Sequence, residues 1–191
     1  MNRAAIHDLF AALFEYPGDD YPARVARCAE ALAEEHPDAA AALAAFSEQM
    51  AGCAVEAMQE QFIQTFDLNP SCALEVGWHL FGEQYERGEF LVKMRGLLRR
   101  FALAESRELP DHLAHALAVL GRMEAEEADE FAAACLHPAI EKMCAALAGK
   151  NYPFEPMLEA LFLWLARRYP FAAETHPCEP VLRVLDSRGW R

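Results

Sequence analysis

Ile6-His7-Asp8-Leu9-Phe10-Ala11-Ala12-Leu13-Phe14 is the stretch that decides the fold class. Ile6, Leu9, Phe10, Leu13 and Phe14 fall at i, i+3, i+4, i+7 and i+8, so a helix gathers all five on one face. The same period returns along the chain. Val25, Cys28, Ala29 and Leu32 mark a second helix, and an alanine-rich third runs from about Pro37 to Met50. Val55, Met58, Phe62, Ile63 and Phe66 line a fourth, and Leu91, Met94, Leu97, Leu98 and Phe101 a later one. A further helix starts near Pro110 with Leu113, Leu117 and Leu120 inward. Phe131, Leu136, Ile140, Met143 and Leu147 belong to one or two more, split near Pro138. Met157, Leu158, Leu161, Phe162 and Leu165 mark the last strong one.

The breaks between these runs carry turn chemistry. "YPGDDYP" (16–22), "HPD" (36–38) and "DLNPSC" (67–72) interrupt the period, with Asn69 and Pro70 suited to a cap and a first helical position. From Ala73 to Ala102, Gly77, Gly82, Gly88 and Gly96 weaken the case for one unbroken helix. No alternating pattern exceeds a few residues, so no sheet is expected. The prediction is all-α: a compact multi-helix single domain over 1–191. The segment 169–191, with Pro170, Pro177 and Pro180, is expected to be a loosely packed tail.

A chain of 191 residues suits one domain, and folding buries roughly two-thirds of the surface of such a chain. With 30 acidic against 17 basic side chains the net charge is −13, which argues against a nucleic-acid phosphate backbone as partner. A basic segment suits that surface better. The six cysteines (28, 53, 72, 135, 144 and 178) contain no C-x-x-C, and most sit in helix-like apolar runs, where reduced cysteine behaves as a small hydrophobe. The expected compartment is the reducing cytoplasm. Asp8 and the lack of a small-residue cleavage site argue against a signal peptide at the start. Apolar runs such as "ALFLWLA" (160–166) fall far short of the ~20 residues that span a bilayer.

Several chemistries leave no trace. There is no G-x-S-x-G, no G-x-x-x-x-G-K-[ST], no G-x-G-x-x-G and no H-E-x-x-H, and serine occurs only at 47, 71, 106 and 187. His112 and His115 share a helical spacing that suits two metal ligands, but no third ligand stands at a sensible distance in sequence. Hydrogen-bonded histidines are the better reading, and no metal is expected. Cys135 and His137 do not share a helical face and read as structural.

The polar residues that remain form three clusters. Phe66-Asp67 closes the fourth helix, "WHLFGEQYERGEF" covers 78–90, and "ELPDHL" covers 108–113. On a continuous helix His79, Glu83 and Arg87 are four apart and form one stripe. On spacing alone an ordinary solvated face is the better reading of such a stripe, its ion pairs contributing only ~0–1 kcal/mol each. Arg87 is expected to pair with Asp67 or Asp111, or locally with Glu83. Pro110 is expected to open a helix, which places Asp111 and His112 in a first turn, among free N–H groups that favour negative charge. The pair reads either as a helix start, as a recognition element, or as a general acid/base.

"FDL" (66–68), "WHLFGE" (78–83), "ERGEFLVKM" (86–94) and "ESRELPDHL" (105–113), in that order, resemble the NarJ family. These are the nitrate-reductase delta-subunit chaperones within the wider TorD/DmsD group of redox-enzyme maturation proteins. "LFAALFEYPGD" (9–19) is similar to the leucine-rich helix ending in Tyr-Pro that opens family members, while the C-terminal third matches only in helical character. The chain departs from many relatives in continuing Phe-Asp-Leu with Asn69.

The resemblance implies a non-catalytic chaperone without a cofactor of its own. It would bind the apo catalytic subunit of a molybdopterin oxidoreductase, by its N-terminal or twin-arginine-type leader peptide. It would hold that subunit for molybdenum cofactor insertion before membrane docking or export. Carried onto this chain, the client-peptide residues are Asp67, His79, Glu83, Arg87, Leu109, Pro110, Asp111 and His112, with Phe66, Trp78, Gly82 and Gly88 as structural motif positions. The client could act on nitrate, selenate, chlorate, dimethyl sulfide or a hydrocarbon, and the chaperone could be a monomer or a homodimer. Two other classes compete: a small enzyme using Asp111 and His112, and a permanent structural subunit of the oxidoreductase complex. A chaperone leaves after maturation, so only a structural subunit should co-purify with the cofactor-loaded enzyme.

Overall fold

The computed structural model describes residues 3–170. Its helices are α1 (Arg3–Leu13), α2 (Tyr21–Leu32), α3 (Pro37–Gln49), α4 (Val55–Phe62), α5 (Val76–Phe81) and α6 (Tyr85–Arg100). They continue with α7 (Leu113–Leu120), α8 (Ala125–Phe131), α9 (His137–Leu147) and α10 (Glu155–Arg168). Among the described residues there is no strand, only an isolated antiparallel bridge between Glu75 and His112.

The apolar faces read from the sequence meet in one core. Phe10, Leu13 and Phe14 of α1 are buried, and α1 packs against α2 and α7. Leu113, Leu117 and Leu120 line the inner face of α7. On the other side α10 packs against α3 and α9. Between the two sides lies an aromatic cluster in which Phe154 stacks against Phe46 at 5.0 Å and against Phe62 and Phe66 at 5.5 Å.

Two helices run on into a wider π turn, α4 through Ile63–Asp67 and α8 through Ala132–Leu136. The first buries Phe66 and leaves the next residue, Asp67, on the surface. Pro70 opens a short 3-10 turn, Pro70–Cys72, with Asn69 at the cap position but without a side-chain bond.

Tyr169, the residue expected to begin a loose tail, is buried. Its hydroxyl hydrogen-bonds His7 Nε2 on α1 at 2.6 Å, and its carbonyl accepts from His137 Nε2 at 2.7 Å. The rest of the tail, 171–191, lies outside the described residues.

Candidate functional site

Leu109–His112 is a turn and not a helix start. The His112 N–H donates to the Leu109 carbonyl at 3.0 Å, with Pro110 at the turn position that its fixed φ suits. Helix α7 begins only at Leu113, with His112 as its N-cap. Long-range bonds hold the turn open. The Asp111 carbonyl accepts from Val76 N–H at 2.9 Å, and Leu113 N–H donates to the Leu74 carbonyl at 2.7 Å.

The Asp111 side chain follows its backbone. Oδ2 accepts the Gly77 N–H at 3.0 Å, so the carboxylate caps α5 from 34 residues away. The residue flanking α5, Glu75, makes no side-chain cap of its own. Free N–H groups at a helix start favour such a carboxylate. Arg87 Nε lies 3.8 Å from the same oxygen, and its guanidinium stands 5.5 Å from the Trp78 ring centroid. Arg87 thus chose Asp111 among its expected partners, through one long charge contact rather than a two-point fork. Asp111 is fully buried, and burial raises its carboxyl pKa while Arg87 draws it down. It therefore presents no carboxylate at the surface.

Glycine is also needed at a position the resemblance did not single out. A Cβ on Gly77 would lie 2.6 Å from Asp111 Oδ2 and 2.8 Å from Phe90 Cδ1. Gly88 instead faces open space. Gly82 ends α5 at φ +58°, a backbone conformation that side chains resist. That break dissolves the expected stripe: His79 lies on α5, Glu83 in the exposed turn and Arg87 on α6. His79 is buried, its Nε2 donating to the Ala73 carbonyl at 2.7 Å, and burial lowers its pKa. Trp78 donates its indole N–H to the Pro70 carbonyl at 2.8 Å.

Beside this buried support lies a groove of about 770 Å³ between α1, the end of α4, the loop 103–108 and α7. Phe14, Tyr16, Phe62, Leu98 and Leu103 form its apolar wall. Its carboxylates are Asp8, Glu15, Asp67, Glu105 and Glu108, against only Arg107 and Arg122. Arg122 is engaged by Asp8 at 2.7 Å. Asp67 and Glu108 have no ion-pair partner among the described residues. Asp67 also sits at the C-terminal end of its helix, where the macrodipole disfavours an anion. Burial first, and Glu75 second, raise its pKa. A cationic guest would relieve both penalties.

Of the client-peptide residues read from the sequence, Asp67 and His112 line the groove. Asp111, Arg87, His79 and Pro110 build the support behind it, while Leu109 and Glu83 are exposed on neighbouring turns. Tyr16, Phe14, Phe62 and the 103–108 loop were missed as site residues. Their signal was faint, because the apolar ones obey the same period as the core. Tyr16 at 51% exposure is the exception.

His112 Nδ1 accepts the Ala114 N–H at 3.2 Å, so its imidazole caps α7 and must stay neutral to do so. His115 donates Nδ1–H to the Leu109 carbonyl at 2.9 Å, and its Nε2 meets Ser106 Oγ at 3.0 Å. Burial, with His115 second, lowers the His112 pKa to about 4.

Because the folded pKa is depressed, the contribution of His112 to stability is full above the unfolded value near ~6.5. It is lost as pH falls toward about 4, by up to roughly 3 kcal/mol. His112→Asn keeps a good capping oxygen and removes the proton site. Urea unfolding at pH 7 and pH 4.5 should show a smaller stability difference in the variant. Part of the slope should persist through His79 and His137, which burial also lowers. An unchanged difference would refute the assignment.

Asp111 and His112 thus cap two different helices and form no acid/base dyad. An all-helical body with an acid-lined apolar groove on a buried Asp–Arg support defines a helical binding protein. The family model described as nitrate reductase delta subunit matches residues 29–155, and the chain belongs to that family, the NarJ family. Its members are the non-catalytic, system-specific chaperones of nitrate reductase assembly and molybdenum cofactor insertion, and they associate with the reductase catalytic subunit. No curated protein matches the chain.

Proposed function

We propose that this chain binds the apo catalytic subunit of a nitrate-reductase-type molybdopterin enzyme by an N-terminal peptide of that subunit. The peptide lies in the groove between α1, the 103–108 loop and α7. The subunit is held there, in the cytoplasm, until the cofactor is inserted, before membrane docking or export. Among the described residues no helix is long and apolar enough to cross a membrane.

The observation that carries the reading is the groove's composition, an apolar wall rimmed by carboxylates with Tyr16 half exposed inside it. Apolar contact supplies affinity to a docked amphipathic peptide, and charge sets its orientation and on-rate. Asp67 is the contact for a leader arginine. Asp111, Arg87, His79 and Pro110 are positioning residues, which hold α5 and the start of α7 and thus the position of His112 on the groove wall.

Calorimetry of the catalytic subunit's N-terminal peptide tests this. Tyr16→Asp should weaken binding at least tenfold, and Asp67→Asn about three- to tenfold with a shallower salt dependence. As far as His112 is concerned, affinity should stay flat from pH 6 to 8. Unchanged affinity in both folded variants would reject the groove as the peptide site.

A further inference from the structure

Helix α6 turns Phe90, Met94, Leu97 and Leu98 into the core, and its opposite face points to solvent. That face is not purely polar. Tyr85 and Val92 stand seven apart, hence on one side of the helix, and are 80% and 70% exposed. A lone exposed apolar side chain is ordinary, but two sharing a face with bare backbone between them make a patch. The bare backbone is at Gly88 and, beyond Val92, at Gly96, where an added Cβ would meet nothing within 4 Å. Charge is divided along the same face, with Glu89 exposed on the N-terminal side of Val92 and Arg95 and Arg99 exposed on the C-terminal side.

These residues are arranged symmetrically about Val92. At equal steps outward, Gly88 answers Gly96, Glu89 answers Arg95 and Tyr85 answers Arg99. We propose that the chain forms a homodimer through antiparallel packing of α6 on α6 of a second copy, with the two-fold axis at Val92. Each residue then faces its match, and every contact occurs twice, as an isologous interface requires. Valine meets valine on the axis, the glycines let the two backbones approach, Glu89 faces Arg95, and the Tyr85 ring faces the Arg99 guanidinium. A parallel pair would instead set Glu89 against Glu89 and Arg95 against Arg95. Glu89 has no ion-pair partner among the described residues. Arg95 gives its Nε to Glu105 at 3.0 Å, and a guanidinium has further donors for a second carboxylate. One pair of 16-residue helices lies at the small end of the interface range, below about 1,200 Å², so the dimer is weak and depends on concentration. In dilute solution it is dissociated, which leaves monomer stabilities unaffected. None of Tyr85, Glu89, Val92, Arg95 and Arg99 lines the peptide groove, so the dimer stands or falls apart from the client reading.

Sedimentation velocity of the full-length protein from about 10 µM to about 1 mM tests the proposal. The wild type should pass from monomer to dimer over that range. Val92→Asp, which places two carboxylates on the axis, should weaken association at least tenfold. Glu89→Arg and Arg95→Glu should each weaken it about five- to tenfold, since each sets like charges together twice. An equimolar mixture of those two variants should associate as the wild type does, because in the mixed pair both contacts unite opposite charges again. Circular dichroism verifies the helical fold of each variant. A wild type that stays monomeric throughout, a Val92→Asp protein that dimerises like the wild type, or a mixture no better than its components would overturn the proposal. So would a monomeric wild type whose α6 amides are protected only by the apo catalytic subunit, which would give this face to the client.

Discussion

Asp111→Ala should lower the stability of the domain by about 3 kcal/mol, a fall of roughly 6–12 °C in melting temperature for a chain of this size. Two losses add up. The Gly77 N–H is left without its acceptor inside the protein, and Arg87 is left half-buried beside Trp78 without a carboxylate. The relief of a buried anion offsets part of this, since burial already raises the Asp111 pKa. Asp111→Asn separates the causes. It keeps an oxygen for the Gly77 N–H and removes only the charge, so it should cost about 1 kcal/mol. Equal losses in the two variants, measured by urea unfolding, would mean that the ion pair and not the cap holds α5.

Gly77→Ala should cost about as much, roughly 3 kcal/mol, although it adds a single methyl group. That methyl would lie 2.6 Å from Asp111 Oδ2 and 2.8 Å from Phe90 Cδ1, and neither neighbour has room to move. Phe90 is buried against Phe81, with ring centroids 5.6 Å apart, and Asp111 is held by the turn and the bridge at Glu75. Gly88→Ala on the exposed face of α6 should instead stabilise the helix by a few tenths to about 1 kcal/mol, because nothing meets its Cβ. Thermal unfolding of the two variants measures the contrast. A Gly77→Ala protein as stable as wild type would show that the Asp111–Gly77 contact is not close in solution.

The helices were legible because a 3.6-residue period is local information. Ile6, Leu9, Phe10, Leu13 and Phe14 needed no knowledge of the rest of the chain to be placed on one face. Pro138, read as a split, does mark the start of α9. Pro110 was misread because local rules allow proline to open either a helix or a turn. What decided for the turn was a pair of backbone bonds to Leu74 and Val76, more than 30 residues away. The importance of Gly77 was hidden for the same reason, since the oxygen it must avoid belongs to Asp111. Gly82 raised the right doubt about a continuous helix, yet the spacing of His79, Glu83 and Arg87 still suggested a stripe. The ordered motifs supply residues on both sides of the groove wall. Asp111, Arg87 and His79 stand behind the wall, and the exposed surface comes from α1 and from a loop with no apolar period.

Hydrogen exchange on the complex with the apo catalytic subunit tests the central claim most directly. Amides in the loop 103–108 and at the C-terminal end of α1 should slow on binding. Those of α3 and of the outer face of α6 should not change. Protection confined to α3 or α6, with the 103–108 loop exchanging as in the free protein, would contradict the assignment of the groove as the client site.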